Sequence, residues 1–204
     1  MPKPNFNDNV FINCPFDPAY DSMLRSIIFV VYHCGFVPRC AKEELDSSVR
    51  RMDKIYNIIS ECKYGIHDIS CTEMDSITKL PRFNMPLELG LFLGAKRYGK
   101  QPNNKKECVI IDSEQFRYHK FISDISGQDI RAHKKKPETC VTMLRDWLST
   151  KSASKVIPTG DIIWEKYKMY LVELPDICSK LKLTPTKITY NDYVQLTASW
   201  IKNN

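Results

Sequence analysis

The stretch NVFINCPFDPAYDSMLRSIIFVVYHCGFVPRCA, residues 9–41, predicts a strand, a helix and a second strand in succession. The apolar run 9–14 is short and ends at Cys-Pro, as a buried strand does. In residues 18–34 the apolar side chains return at helical spacing, and Gly35 supplies a C-terminal stop. Residues 36–41 predict the second strand, where Pro38 favours a strand end or the edge of a sheet because it donates no hydrogen bond.

The same alternation continues to about residue 150. Caps at residues 46–48 precede a helix with apolar positions on one face, and residues 64–69 (YGIHDI) predict a third strand. A polar loop over residues 70–80 leads to a helix over residues 85–98, which is followed by a strand over 107–112 and a helix over 137–149. Strands and helices in this order indicate an α/β fold, a doubly wound, flavodoxin-like parallel sheet of four to five strands.

The last quarter of the chain changes character. Residues 151–155 (KSASK) are a polar linker, and residues 162–181 and 192–202 predict two helices, the first broken at Pro175. We therefore expect an α/β domain over residues 1–150. A helical extension over residues 151–204 would pack on that domain or on a second copy of the chain.

Composition narrows the class of protein. Eight cysteines without a C-x-x-C pair indicate reduced thiols, with neither disulfides nor a metal site expected. A polar N-terminus and the lack of an apolar run of roughly 18 residues favour a cytoplasmic protein with no membrane partner. The net charge of +6 is scattered apart from two short lysine runs, so nucleic acid is an unlikely partner, whereas a phosphate-bearing small molecule fits.

Polar side chains gather where the predicted strands end. Ligands of doubly wound sheets bind outside the carboxyl ends of the strands, so the loops that follow these strands should converge. His67, Asp68 and Asp112 stand at such ends, although His67 is more typical of strand packing and Asp68 also suits a turn. The polar segment 123–133 predicts a loop, either a plain surface loop or one that binds a ligand.

Glu88 is the carboxylate that most needs an explanation. We expect it in the first turn of its helix, where the helix dipole would favour it by about 0.3–1 kcal/mol. Its neighbours Leu87, Leu89 and Gly90 are apolar or small. A carboxylate among them is costly unless it faces a polar crevice, which favours a functional role.

Three segments, VFINCPFD (10–17), YGIHDIS (64–70) and ELGLFLGAKRYGK (88–100), occur in an order that resembles the nucleoside 2-deoxyribosyltransferase-like superfamily and the related Toll/interleukin-receptor-like domains that cleave NAD. In the former, a strand-end Asp precedes a helix with a Glu-x-Gly-x-Ala pattern and a following Gly-Lys. The resemblance implies cleavage or transfer at a nucleotide N-glycosidic bond, with Glu88 and Asp68 as catalytic residues. NAD or a nucleoside phosphate would be the substrate, with no further cofactor. The substrate contacts that we expect are Asn13, Cys14, Pro15, Phe16, Arg39, Arg51, Ser70, Asn84, Asp124 and Asp129.

A second reading stays open. The same fold could serve as a nucleotide-sensing signalling module without catalysis, with the C-terminal helices relaying ligand binding to a partner. The resemblance also implies a signalling or defence role, and a homo-oligomer is a further expectation.

Overall fold

A computed structural model describes residues 5–72, 81–152 and 156–204 of the chain. It contains a five-stranded, all-parallel sheet in the order β2-β1-β3-β4-β5, which confirms the predicted doubly wound α/β fold. The strands are β1 (Asn9–Asn13), β2 (Val37–Arg39), β3 (Tyr64–Asp68), β4 (Glu107–Asp112) and β5 (Ile130–Ala132). The helices are α1 (Asp21–His33), α2 (Arg51–Ser60), α3 (Asn84–Tyr98), α4 (Pro137–Ser149), α5 (Gly160–Lys180) and α6 (Tyr190–Asn203).

The alternation of side chains along the strands divides the core between the two faces of the sheet. Val10 and Ile12 of β1 join the cluster formed with α1, α4, α5 and α6. Phe11, between them, points to the opposite face and packs with α2 and with Phe92 of α3. Because α5 and α6 contribute buried side chains to the same cluster as α1 and α4, the C-terminal helices share the core of the sheet.

Pro38 and Pro175 affect their secondary-structure elements differently. Pro38 lies in β2, which is an edge strand as predicted. Pro175 was expected to break a helix, but α5 runs through it without interruption. The ring of Pro175 is exposed while Leu174 and Cys178 on either side are buried, so packing outweighs the one hydrogen bond that proline removes.

Two further boundaries differ from the sequence-based expectation. Residues 46–48 do not cap α2, because Asp46 Oδ1 accepts from the backbone N and the Oγ of Ser48, at 2.8 and 2.7 Å, and forms a local turn. The helix starts only at Arg51. The predicted loop 123–133 contains β5, while most of the predicted loop 70–80 and part of the 151–155 linker lie outside the described residues.

Within the described ranges, no helix combines the length and the apolar character needed to cross a bilayer. The cysteines, all of which lie within these ranges, form no disulfide with one another.

Candidate functional site

A cavity of about 590 Å³ opens at the carboxyl edge of the sheet. It lies between the start of α1, the loop after β3 and the loop that joins β5 to α4. Its polar wall consists of Asp17, Tyr20, Ser22, Ser70, His133 and Lys135. Its apolar wall consists of Ala19, Met23, Cys71 and Pro137. This combination suits a ligand with an apolar ring and a few hydrogen-bonding groups.

Asp68 lies beneath this cavity and is fully buried. The hydroxyl of Tyr20 donates to Asp68 Oδ2, and the backbone N of Ser70 donates to Oδ1 at 2.8 Å. His133 Nε2 lies 3.2 Å from the same Oδ2 atom, at ion-pair distance but outside hydrogen-bond alignment. Asp68 therefore holds residues from three separate segments in one polar group.

Hydrogen bonding fixes the roles of the two side chains above Asp68. The Lys135 backbone N donates to His133 Nδ1 at 3.0 Å, so the neutral ring carries its proton on Nε2, the atom that faces Asp68. Burial, and then the adjacent Asp68, raise the pKa of the Tyr20 phenol well above its usual value. Tyr20 thus keeps its proton for Asp68 and can offer its oxygen lone pairs to a ligand donor.

The loop that carries His133 is strained. Lys134 and Lys135 both adopt a left-handed backbone with φ near 56°. Two such lysines in succession cost about 1–2 kcal/mol each. The Lys134 backbone N donates to Ser113 O at 3.0 Å, which helps to hold the loop at the rim of the cavity. Strain of this kind is concentrated at ligand sites in proteins.

Glu88 lies at the same edge of the sheet but on the face covered by α2 and α3. It is the fifth residue of α3, just beyond the first turn in which we expected it, and it is 9% exposed. Burial raises the pKa of Glu88 from 4.5 to about 7, against the opposing effect of Arg51. The carboxyl forms no hydrogen bond or ion pair with any described residue.

A cationic and aromatic group stands beside Glu88. The Phe16 ring, half-buried after β1, has Lys42 Nζ at 4.9 Å and the Arg51 guanidinium at 6.0 Å from its centroid. Arg51 is exposed at the first position of α2. Arginine and lysine beside an aromatic ring can hold a phosphate and stack a flat group.

Cys14 lies between the two parts of this edge. The carboxylates of Asp68 and Glu88 both contribute to the raised pKa of its thiol, after the larger effects of burial and of Cys40, so both lie near the end of β1. Burial, as the largest cause, raises the pKa of Cys14 well above its usual value. A thiol in this state is a packing group and a poor nucleophile.

A buried ion pair braces the loop after β3. Arg117 Nε donates to Asp112 Oδ1 at 2.8 Å, and its other nitrogens donate to Ile69 O at 2.7 Å and to Thr72 Oγ1 at 3.1 Å. Asp112 is fully buried, and burial raises its pKa while Arg117 lowers it. Asp112 is thereby a structural anchor for the cavity wall, and Arg117 is its partner.

The structure brings together some of the expected site residues and separates others. Asp68 and Ser70 meet at the cavity, and Phe16, Arg51 and Glu88 gather on the other face. Cys14 packs in the cluster of α1 and α4, and Pro15 follows it and is buried. The remaining candidates lie elsewhere: Asn13, Arg39, Asn84, Asp124 and Asp129. Asn13 uses its amide inside the protein, Arg39 is held by Glu43 and Glu61, and the other three are exposed.

Sequence reasoning missed Tyr20 and Lys135 and gave His133 only a place in a polar loop. Tyr20 lies seven residues after the end of β1, in the short 3-10 helix before α1, whereas His133 directly follows β5. The strand-end position of His133 is a signal that could have identified it, and that signal required recognition of a three-residue strand.

Comparison with known proteins gave no relationship for this chain. No protein-family model matches it, and no curated protein or solved structure matches it.

Proposed function

We propose that the protein binds a nucleotide at the carboxyl edge of its sheet and breaks or transfers its N-glycosidic bond, with Glu88 as the carboxylate that faces the sugar. The observation that carries the proposal is Glu88 itself. It is 9% exposed, it has no partner among the described residues, and its pKa is about 7. NAD and nucleoside phosphates are the substrate class.

The chemistry requires one carboxylate near the sugar. The bond between C1′ and the base nitrogen breaks, and its electron pair leaves with the base. The sugar becomes an oxocarbenium ion, which an ionised Glu88 stabilises or captures as an ester. Water or another acceptor then adds at C1′, the bond to Glu88 breaks where the ester has formed, and the acceptor's proton passes to Glu88 or to the departed base. The step balances without a metal or redox partner. A pKa near 7 leaves Glu88 divided between its two protonation states at neutral pH.

The surroundings of Glu88 suit the rest of a nucleotide. Arg51 and Lys42 supply positive charge for phosphates, and Phe16 supplies a flat surface. The cavity above Asp68 offers an acceptor at Tyr20 and apolar walls for a base. Asp68 then acts through Tyr20 in this proposal, because its own oxygens already face protein donors.

The test is release of a free base. The full chain is incubated with NAD and, separately, with nucleoside monophosphates, and the products are separated by chromatography. We expect one substrate to lose its base and Glu88→Gln to abolish the loss. The control is Glu165→Gln, which changes an exposed carboxylate on α5. The proposal fails if no base is released, or if Glu88→Gln is as active as the control.

A second function, nucleotide sensing without catalysis, is favoured by one observation. Glu88 is not part of the wall of the large cavity, so a ligand bound there need not meet it. A nucleotide that raises the melting temperature in proportion to ln(1 + [L]/Kd) and is recovered intact supports this function over cleavage.

A further inference from the structure

The side chain of Asn13 joins three elements of the fold at the end of β1. It is 1% exposed, and its Nδ2 donates to the Met85 carbonyl oxygen of α3 at 2.8 Å. The same nitrogen lies 3.0 Å from His67 Nδ1 on β3. One amide group with two hydrogens therefore links two neighbouring strands to the start of α3.

The direction of the second hydrogen bond follows from chemistry. An amide nitrogen only donates, so His67 Nδ1 accepts and the neutral ring carries its proton on Nε2. Burial lowers the pKa of His67 to about 3, which keeps the ring neutral and Nδ1 available as an acceptor. The imidazole is thus a fixed acceptor for Asn13 and takes no part in proton transfer near neutral pH.

Packing holds the imidazole ring in place. It lies edge-on to Phe92 of α3, with ring centroids 4.9 Å apart, and to Phe11 of β1 at 5.8 Å. A Cβ on Gly65 would stand 2.6 Å from His67 Nε2, so the absence of a side chain there makes room for the ring. His67 cannot rotate without displacing these neighbours.

The link has a direct consequence for Glu88. Met85 is the second residue of α3, and Glu88 follows it by three positions, on the neighbouring part of the helix surface. A carbonyl oxygen has two lone pairs, so Met85 can accept Asn13 while keeping its helical hydrogen bond. The hydrogen bond from Asn13 holds this carbonyl against the sheet. It therefore fixes the rotation of α3 about its axis, and the position along that axis, of the turn that bears Glu88.

We propose that Asn13 and His67 are positioning residues that hold Glu88 in its water-poor place beside Cys14 and Arg51, and that neither contacts the substrate. The inference rests on Glu88 as the working carboxylate of the proposed function. The placement itself can be measured without any substrate. Arg51 on α2 is the ionisable group that opposes the effect of burial on the pKa of Glu88, and Glu88 in turn contributes to the raised pKa of Cys14 after β1.

The experiment follows the titration of Glu88 by NMR with ¹³C-labelled glutamate, and Glu88→Gln assigns its signal. In the wild-type chain the carboxyl is expected to titrate near 7. Asn13→Leu keeps the side-chain size and removes both hydrogen bonds. We expect it to let water reach Glu88 and lower the pKa by about one unit or more toward the usual value.

Asn9→Leu is the matched control. Asn9 stands at the opposite end of β1, is fully buried, and donates to Glu61 O at 2.8 Å. The substitution removes one buried amide hydrogen bond in the same strand. No hydrogen bond among the described residues links Asn9 to α3. The proposal predicts that Asn9→Leu leaves the titration of Glu88 unchanged.

Variants of His67 test the link from β3, and they replace Asn13→Leu if that chain does not fold. His67→Asn keeps an acceptor near the position of Nδ1 and should keep Glu88 near 7, while His67→Leu removes the acceptor and should lower its pKa. Equal shifts for Asn13→Leu and Asn9→Leu, or no shift for any variant at the link, would overturn the proposal. If the titration responds as expected but no base is ever released, the positioning stands and the proposed function fails.

Discussion

Glu88→Gln should make the protein more stable, and the gain should depend on pH. Burial raises the pKa of Glu88 from 4.5 to about 7 in the native protein. In the unfolded chain the carboxyl is expected to ionise near 4.5, as usual. Between these two values the unfolded chain releases its proton first, so the free energy of unfolding falls as pH rises.

The size of the effect follows from the same pKa values. Each pKa unit corresponds to about 1.4 kcal/mol, so the shift from 4.5 to about 7 costs the wild-type chain roughly 3 kcal/mol above neutral pH. Glutamine keeps the shape of the side chain and cannot ionise. The ionisation of Glu88 should therefore add little to the difference in free energy of unfolding between variant and wild type at about pH 4. By about pH 8 it should make the variant more stable by roughly 3 kcal/mol.

Urea unfolding followed by circular dichroism, at several pH values, measures this difference. Equal m-values allow the midpoints to be compared directly. Every other ionisable group is present in both chains, so its contribution cancels at each pH. Glu114→Gln is the control, because Glu114 is exposed in the loop after β4 and lies outside every helix of the described residues. A pH-independent difference for Glu88→Gln would show that Glu88 is not desolvated and would refute the reasoning.

Two further predictions concern buried groups around the edge. Burial lowers the pKa of His67 from 6.5 to about 3, so between these pH values the imidazole is protonated in the unfolded chain and neutral in the native chain. The free energy of unfolding of the wild type should therefore fall by up to about 5 kcal/mol as the pH drops from 6.5 to about 3. His67→Asn should remove this loss of stability in acid, measured in the same unfolding assay. If the variant loses as much stability in acid as the wild type, His67 is not its cause. Arg117→Met leaves the buried Asp112 without its cation and should cost about 3–5 kcal/mol near neutral pH, with a smaller loss in acid where Asp112 takes up a proton. The double change Arg117→Met with Asp112→Asn should recover part of that loss, and a double variant no more stable than Arg117→Met would argue against the pair.

The sequence predicts the elements whose signals are local. β1, β3 and β4 are apolar runs buried along most of their length, and α1 repeats its apolar residues at helical spacing. β5 has only three residues, none of them fully buried, so neither length nor periodicity marks it. The uninterrupted course of α5 through Pro175 is a tertiary effect of Leu174 and Cys178, which a local rule for proline does not include.

The candidate site, like the fold, contains residues that local sequence signals predict and residues that only distant contacts identify. Asp68 and Glu88 could be proposed as candidates because a strand end and a helix start are visible in the sequence. Tyr20 and His133 are functional candidates only through Asp68, which lies 48 positions from Tyr20 and reaches His133 from a different strand. Arg39 shows the converse error, because a promising arginine at a strand end is held by Glu43 and Glu61. Partners that are distant in the chain decide these roles, and one sequence does not reveal them.

Glu88 had two explanations, and the structure weighs them by magnitude. A carboxylate placed to satisfy the helix dipole would have a lowered pKa and a gain of about 0.3–1 kcal/mol, limited to the first turn. Glu88 lies beyond that turn, and burial raises its pKa to about 7, a cost of roughly 3 kcal/mol. Desolvation therefore outweighs the dipole several-fold, even with Arg51 opposing it. A side chain that lowers stability by this amount is not explained by the stability of α3, and this cost favours a functional role for the carboxylate, as in the proposed function.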